Sequence, residues 1–239
     1  ATQTEVKEQV DLMYSLIHQQ VDAIVLVPID SKALVQPVVE AVRKGVPVIN
    51  IDIRLDTQLL EQAGVEVAFV GPDNFAAAYE VGKLLGKKLR NEDKVAIIEG
   101  LAVADNARQR KRGFIKAIEE KGLRLVASEP ADWETEKAAE VFQAMWMRYP
   151  DLKAVYCSND AMALGVLQQM QEKNCYLPVV GFDNDAVMKE FLSTGKLVAT
   201  ADIFSSQMAV RGIEFALDVL EGKIENRGVH STAYEIIKQ

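Results

Sequence analysis

The stretch AVYCSNDAMALGV, residues 154–166, combines the two halves of a strand–turn–helix unit. Its first half is a short, continuously apolar run, typical of a buried strand, and its second half has the composition of a helix. Three polar residues, Ser158, Asn159 and Asp160, stand at the turn between them. Such a turn predicts either a capped helix or a binding position at the end of a strand.

The same unit recurs along most of the chain. Segments of helical period separate the strand-like runs, for example residues 76–89 and 138–147, and Asp132 and Asp160 are candidate N-caps. Alternating strands and helices predict an α/β fold, in which helices cover both faces of a parallel sheet. The strand-like runs are residues 22–27, 47–52, 67–71, 94–100, 123–128, 153–158, 178–182, 197–202 and 232–238.

The number of strands indicates two lobes rather than one open sheet. Residues 95–202 form a complete block of five strands with helices, whereas residues 22–71 supply only three strands. The chain also opens with a helical pattern at Val6, Val10, Met13 and Ile17, although a doubly wound lobe normally begins with a strand. We therefore expect the first lobe to be incomplete, with an exposed sheet edge and exposed apolar helix faces.

Composition and charge exclude several classes of protein. The net charge of −8 opposes binding to nucleic acid, and no apolar run approaches the length of a membrane span. The two cysteines, Cys157 and Cys175, have no metal-ligand spacing and are expected to be free thiols. No metal or cofactor is expected, because the two histidines lie far from every motif and no glycine-rich phosphate loop occurs.

Polar residues follow nearly every strand at its carboxyl end, where open α/β sheets bind their ligands. Acids, amides, an arginine and an aromatic ring together suit a neutral, polyhydroxylated ligand. No nucleophile–base pair occurs among them, so we do not expect an enzyme. Each residue alone is a common helix cap or turn former, and the combination favours binding. The candidate ligand-binding residues are Asp52, Arg54, Arg108, Trp133, Asn159, Asp183 and Asp202.

These residues carry a resemblance to a known family. The segments VGPDNFAAAYEVGKLL, NARQRKRGF, PADWETEKA, VYCSNDAMALG and VVGFDNDAV resemble the periplasmic monosaccharide-binding proteins of the ribose-binding type, across nearly the whole chain. SNDAMALG and VVGFD are shared with the sugar-sensing cores of lactose-repressor-type regulators. The segments AYEIIKQ and PADW are closer to the transport proteins.

The resemblance implies the type 1 fold of periplasmic binding proteins, with two Rossmann-like lobes joined by three hinge crossings near residues 72–73, 203–204 and 231–234. It implies an N-terminal lobe of residues 1–72 and 204–232 and a C-terminal lobe of residues 73–203 and 233–239. The family's opening strand, helix and second strand would precede Ala1.

The resemblance also implies roles for single residues. Asp52, Arg108, Asn159 and Asp183 correspond to sugar-binding positions and Trp133 to the stacking aromatic, while Arg110 is expected to support the loop. Ile53 and Ile203 depart from the family, which often has arginine and glutamine there, so ribose itself is in doubt as the ligand.

The implied function is binding of a monosaccharide or polyol in a cleft between the lobes and delivery to the permease of an ABC importer. We expect a monomer in the periplasm, or a lipid-anchored extracellular protein, with no inserted segment and with any signal peptide outside this sequence. The alternative is the effector core of a lactose-repressor-type regulator, which requires a helix-turn-helix segment upstream in the gene.

Overall fold

The computed structural model describes residues 3–238 as an alternation of strands and helices. Most predicted elements lie within one to three residues of their expected places. The last predicted strand, residues 232–238, is observed as Glu235–Lys238, and an additional strand that the sequence did not predict, Val229–Thr232, precedes it and belongs to the other sheet. The strands in chain order are β1 Ile24–Leu26, β2 Val48–Ile51, β3 Phe69–Pro72, β4 Lys94–Glu99, β5 Arg124–Pro130, β6 Ala154–Cys157, β7 Val179–Val180, β8 Leu197–Asp202, β9 Val229–Thr232 and β10 Glu235–Lys238.

The helices follow the same order. They are α1 Gln3–His18, α2 Val35–Arg43, α3 Thr57–Gln62, α4 Asn74–Gly86, α5 Asp105–Lys121, α6 Thr135–Arg148, α7 Asp160–Glu172, α8 Met188–Ser193 and α9 Ser205–Leu220. Aspartate, a favoured N-cap residue, caps two of these helices. Asp56 accepts a hydrogen bond from Leu59 N at the start of α3, and Asp73 accepts one from Ala76 N at the start of α4.

The chain divides into two compact units. Unit 1 contains the chain up to Pro72, residues Val103–Asn106 and Phe204–Ala233; unit 2 contains Asp73–Ala102, Ala107–Ile203 and the chain from Tyr234 on. The sequence had assigned Ala233 and the short segment Val103–Asn106 to the second lobe. Residues 1, 2 and 239 of the two expected lobes lie outside the described residues.

Unit 1 is a four-stranded parallel sheet in the order β1-β2-β3-β9. Leu34, Val38 and Val48 are fully buried in the core beneath α1 and α2. On the other side Ile49 and Val70 pack with Ala216 of α9. Helices thus cover both faces, as a parallel sheet requires.

Unit 1 also shows the exposed apolar surface expected of an incomplete lobe. Among the described residues β1 pairs only with β2, so its second edge is open. Along α9 an apolar stripe of Val210, Ile213, Leu217 and Leu220 is about half exposed. These positions recur every three or four residues and so lie on one side of the helix. Unit 1 therefore has both an open parallel edge and an exposed apolar helix face.

Unit 2 is a six-stranded sheet in the order β10-β8-β7-β6-β4-β5, parallel except for the antiparallel pair of β10 and β8. Helices α6 and α7 pack against each other, and Gly165 of α7 lies close to the backbone of α6. A Cβ atom on Gly165 would lie 2.0 Å from the carbonyl oxygen of Thr135, so only glycine permits this contact. Because β4 to β8 are all parallel, these five strands end at the same edge of the sheet.

Candidate functional site

Five of the seven predicted ligand-binding residues lie at this carboxyl edge of unit 2. Asp202 ends β8, whereas Asn159 and Asp183 follow β6 and β7 within three residues. Trp133 follows β5, and Arg108 lies in the first turn of α5, the helix after β4. All five side chains are half-buried, which leaves part of each accessible to a ligand.

The helix cap at the opening motif differs from the expected one. Asn159 is the N-cap of α7, since its Oδ1 accepts a hydrogen bond of 2.9 Å from Met162 N. Among the described residues its Nδ2 group makes no hydrogen bond, and it can donate to a hydroxyl group of a ligand. Asn159 therefore has the cap role that the sequence assigned to Asp160, and its ligand contact stays a prediction.

Asp160 is fully buried and supports the neighbouring loop instead of capping the helix. Its Oδ2 accepts from Asp185 N at 2.8 Å, and the hydroxyl of Thr200 donates to its Oδ1 at 2.9 Å. Thr200 Oγ1 in turn accepts from Asn184 N at 3.2 Å. Burial outweighs these bonds and raises the pKa of Asp160 to about 7.

The loop that Asp160 supports carries Asp183 in a strained backbone conformation. Asp183 and Asn184 are consecutive residues with φ angles of 107° and 59°. Such angles cost about 1–3 kcal/mol each for residues other than glycine and cluster at functional sites. Asp183 N donates to Ala201 O at 2.7 Å, and Asn184 Nδ2 donates to Asp202 Oδ2 at 2.9 Å. Asn184 therefore joins two of the predicted site residues, a role the sequence did not reveal.

Trp133 occupies a second left-handed turn and rests against a glycine. Asp132 and Trp133 have φ angles of 53° and 72°. Asp132 is not the predicted cap, because α6 begins after Glu134 and Asp132 forms an ion pair with Lys137. A Cβ atom on Gly100 would lie 2.0–2.3 Å from three carbon atoms of the indole ring. Glycine at position 100, directly after β4, thus makes the space that the indole occupies.

The two arginines of α5 have different surroundings. Arg108 donates from Nη1 to Ala102 O at 3.1 Å and is half-buried. Arg110 is 3% exposed, pairs with Asp183 at 3.2 Å and donates from Nη1 to Ser158 O at 2.8 Å. The expected supporting role of Arg110 is therefore confirmed, and its partners include a predicted ligand-binding residue.

Asp52 and Arg54, the two candidates in unit 1, have separate surroundings. Asp52 follows β2 with a φ angle of 60°, and its N donates to Val70 O at 3.1 Å. The Arg54 guanidinium lies 5.4 Å from the ring centroid of Phe69. Arg54 lines a groove of about 570 Å³, together with residues of α3, residues 64–67 before β3 and the start of β9. Asp52 does not line this groove.

The structure also bears on the cysteines, on metal binding and on membrane insertion. Cys157 and Cys175 are free, and burial raises the pKa of the Cys157 thiol well above its usual value. Among residues 3–238 no three histidine, cysteine or acidic side chains are grouped as metal ligands. No helix within the same range is both long and apolar enough to cross a membrane.

Comparison with known proteins agrees with this architecture. Residues 1–224 match the model of the periplasmic binding protein domain. The D-ribose/D-allose-binding protein of Pseudomonas aeruginosa is 40% identical over 98% of this chain and 75% of its own length. The D-allose-binding periplasmic protein of Escherichia coli is 34% identical over 89% of this chain and 70% of its own length.

Solved structures show the same similarity. An ABC transporter periplasmic solute-binding protein from Actinobacillus succinogenes with bound D-allose has a TM-score of 0.90 and 31% identity, covering 98% of this chain and 84% of that protein. An ABC transporter solute-binding protein from Burkholderia multivorans has a TM-score of 0.93 and 39% identity over the same shares. The chain belongs to the periplasmic binding proteins of the ribose-binding type, with the type 1 fold.

Proposed function

We propose that this protein binds a monosaccharide or related polyol and delivers it to the permease of an ABC importer. The observation that carries the proposal is the row of acid, amide, arginine and indole groups at one edge of the unit 2 sheet. The names of the relatives support it, since they describe proteins that bind D-ribose and D-allose.

In the proposed mechanism, the sugar first binds to unit 2. Arg108 donates to its hydroxyl groups, Asp183 accepts from them, and the Nδ2 group of Asn159 adds a further donor. The indole of Trp133 covers the apolar C–H face of the sugar ring. Asp202 is assigned a ligand contact in addition to the hydrogen bond that its Oδ2 accepts from Asn184 Nδ2.

Unit 1 then closes on the bound sugar. Asp52 contributes an acceptor from that side, and Arg54 is assigned a further donor. The crossings near residues 72–73, 203–204 and 231–234 absorb the rotation, and the permease recognises the closed form. The protein acts as a monomer in the periplasm, or on the outer surface of the cell when lipid-anchored, and it does not chemically change its ligand.

Titration calorimetry tests the proposal with protein expressed from its complete reading frame. The panel contains D-ribose, D-allose, D-fucose, xylitol and myo-inositol. Loss of a charge-assisted hydrogen bond costs about 1.5–3 kcal/mol, so Arg108→Ala and Asp183→Ala are each expected to weaken binding about 10- to 100-fold. Arg112→Ala, an exposed arginine of the same helix, is the matched control and is expected to bind normally.

Two results would contradict the proposal. One is the absence of binding to any sugar or polyol of the panel by the folded wild-type protein. The other is binding whose affinity is unchanged in both Arg108→Ala and Asp183→Ala.

A further inference from the structure

Thr200 is a fully buried residue of β8 whose hydroxyl joins two neighbouring elements of unit 2. The hydroxyl donates to Asp160 Oδ1 at 2.9 Å and accepts from Asn184 N at 3.2 Å. A hydroxyl group can donate and accept at the same time, whereas the similarly shaped side chain of valine can do neither. Thr200 therefore connects the buried carboxylate at the start of α7 to the loop after β7.

The loop after β7 is held through three consecutive backbone N–H groups. Asp183 N donates to Ala201 O at 2.7 Å, and Asp185 N donates to Asp160 Oδ2 at 2.8 Å. The N–H group of the residue between them is the one that donates to Thr200. The loop conformation therefore depends on β8 and on Asp160, and the Thr200 hydroxyl bonds to both the loop and Asp160.

A glycine makes room for the Asp160 carboxylate beside this loop. A Cβ atom on Gly181, directly after β7, would lie 2.0 Å from Asp160 Oδ1, the oxygen that accepts from Thr200. A buried carboxylate is costly unless hydrogen-bond donors surround it, and the Thr200 hydroxyl and the Asp185 amide are two such donors. Loss of the hydroxyl would therefore weaken the connection at both of its ends.

We propose that Thr200 is a positioning residue for sugar binding, because its hydroxyl holds the loop that carries Asp183 in the conformation that the ligand requires. This inference rests on the proposed function and adds a buried residue that acts through Asp183. The bond from Asn184 N restrains a turn in which two consecutive residues have φ angles of 107° and 59°. Without the hydroxyl, the strained turn can relax and carry the Asp183 carboxylate away from the sugar.

The test compares three threonine substitutions in unit 2 by calorimetry with D-allose. Thr200→Val removes the hydroxyl at nearly constant shape and is expected to lower affinity about 10-fold, whereas Thr200→Ser keeps the hydroxyl and is expected to recover affinity to within about threefold of wild type. Thr194→Val is the matched control, because Thr194 is exposed at the end of α8 and its hydroxyl donates to Glu190 O. The control is expected to bind within about twofold of wild type.

Two results of this comparison would overturn the inference. One is a folded Thr200→Val protein that binds D-allose as tightly as wild type. The other is an equal loss of affinity in Thr200→Val and Thr200→Ser, since the hydroxyl would then not be the group that matters.

A double-mutant cycle separates positioning of Asp183 from general structural support. Thr200→Val is measured again in an Asp183→Asn background, where its effect on affinity is expected to shrink to less than about threefold. A role of Thr200 that does not act through the Asp183 carboxylate would give the same fold-change in both backgrounds, and that result would also overturn the inference.

A second variant covers the case in which Thr200→Val does not fold. Asp160→Asn keeps the shape of the side chain, but its single oxygen can replace only one of the two that accept from Thr200 and Asp185. It is expected to lower affinity for D-allose about 3- to 10-fold, and unchanged affinity would count against the inference. Failure of the wild-type protein to bind any sugar would instead refute the proposed function.

Discussion

Substitution of Gly100 by alanine would displace Trp133, the proposed stacking residue, without substituting any of the proposed ligand-binding residues. The added Cβ would lie 2.0, 2.2 and 2.3 Å from three carbon atoms of the Trp133 ring. Ordinary carbon–carbon contacts are about 3.5–4.0 Å. The indole must therefore retreat by roughly 1.5 Å to restore an ordinary contact with a Cβ atom on Gly100, the residue directly after β4.

The size of the effect follows from what the ring contributes. A stacked aromatic ring adds about 0.5–1.5 kcal/mol beyond simple burial, and its displacement also exposes the ligand face that it covers. Sugar affinity is expected to fall about 10-fold, which corresponds to about 1.4 kcal/mol. The added atom overpacks the turn, so we expect an additional loss of about 1–3 kcal/mol in the free energy of unfolding.

Calorimetry with D-allose measures the affinity, and urea unfolding measures the stability. The matched control is Gly86→Ala, whose Cβ would meet only the flexible side chain of Lys121, at 3.4 Å or more. The control is expected to bind as wild type. A folded Gly100→Ala protein that binds D-allose as tightly as wild type would refute the assignment of Trp133 to the ligand surface.

Two further predictions concern stability. Because burial raises the pKa of Asp160 from 3.8 to about 7, the folded protein binds a proton more tightly than the unfolded chain between these values. The free energy of unfolding is therefore expected to fall with rising pH in this window, by up to about 1.4 kcal/mol per pH unit. Asp160→Asn should flatten this slope in urea unfolding from pH 5 to 7, and equal slopes in both proteins would contradict the assignment. Gly165→Ala places a Cβ 2.0 Å from Thr135 O and is expected to lower the unfolding free energy by about 1–3 kcal/mol, and stability equal to that of Gly86→Ala would contradict it.

The strands that the sequence predicted most securely are the buried ones. β4, β6 and β8 are apolar runs, and each lies within one residue of its predicted start. β9 was missed because its sequence, Val-His-Ser-Thr, is polar and largely exposed. It forms a strand because it pairs with residues 69–72 of β3. A local sequence pattern carries no information about a partner so distant in the chain.

The position of the candidate residues at one sheet edge was predicted more fully than their contacts. Parallel strands end at one edge, so polar residues after strands could be expected to gather there. Which residue of the Asn159–Asp160 pair caps α7 depends on the backbone, and Asn159 has the extended conformation that a cap requires. The left-handed turn at Trp133 and the space provided by Gly100 arise only from three-dimensional packing.

The central claim is that the carboxyl edge of the unit 2 sheet is a sugar site. Its most direct test is a crystal structure of the protein with D-allose at a concentration that calorimetry shows to be saturating. We predict density for one sugar ring against the indole of Trp133, with hydroxyl groups within hydrogen-bond distance of Asp183, Arg108 and Asn159. A sugar bound elsewhere, for example in the groove lined by Arg54 and α3, with this edge occupied only by water, would contradict the claim.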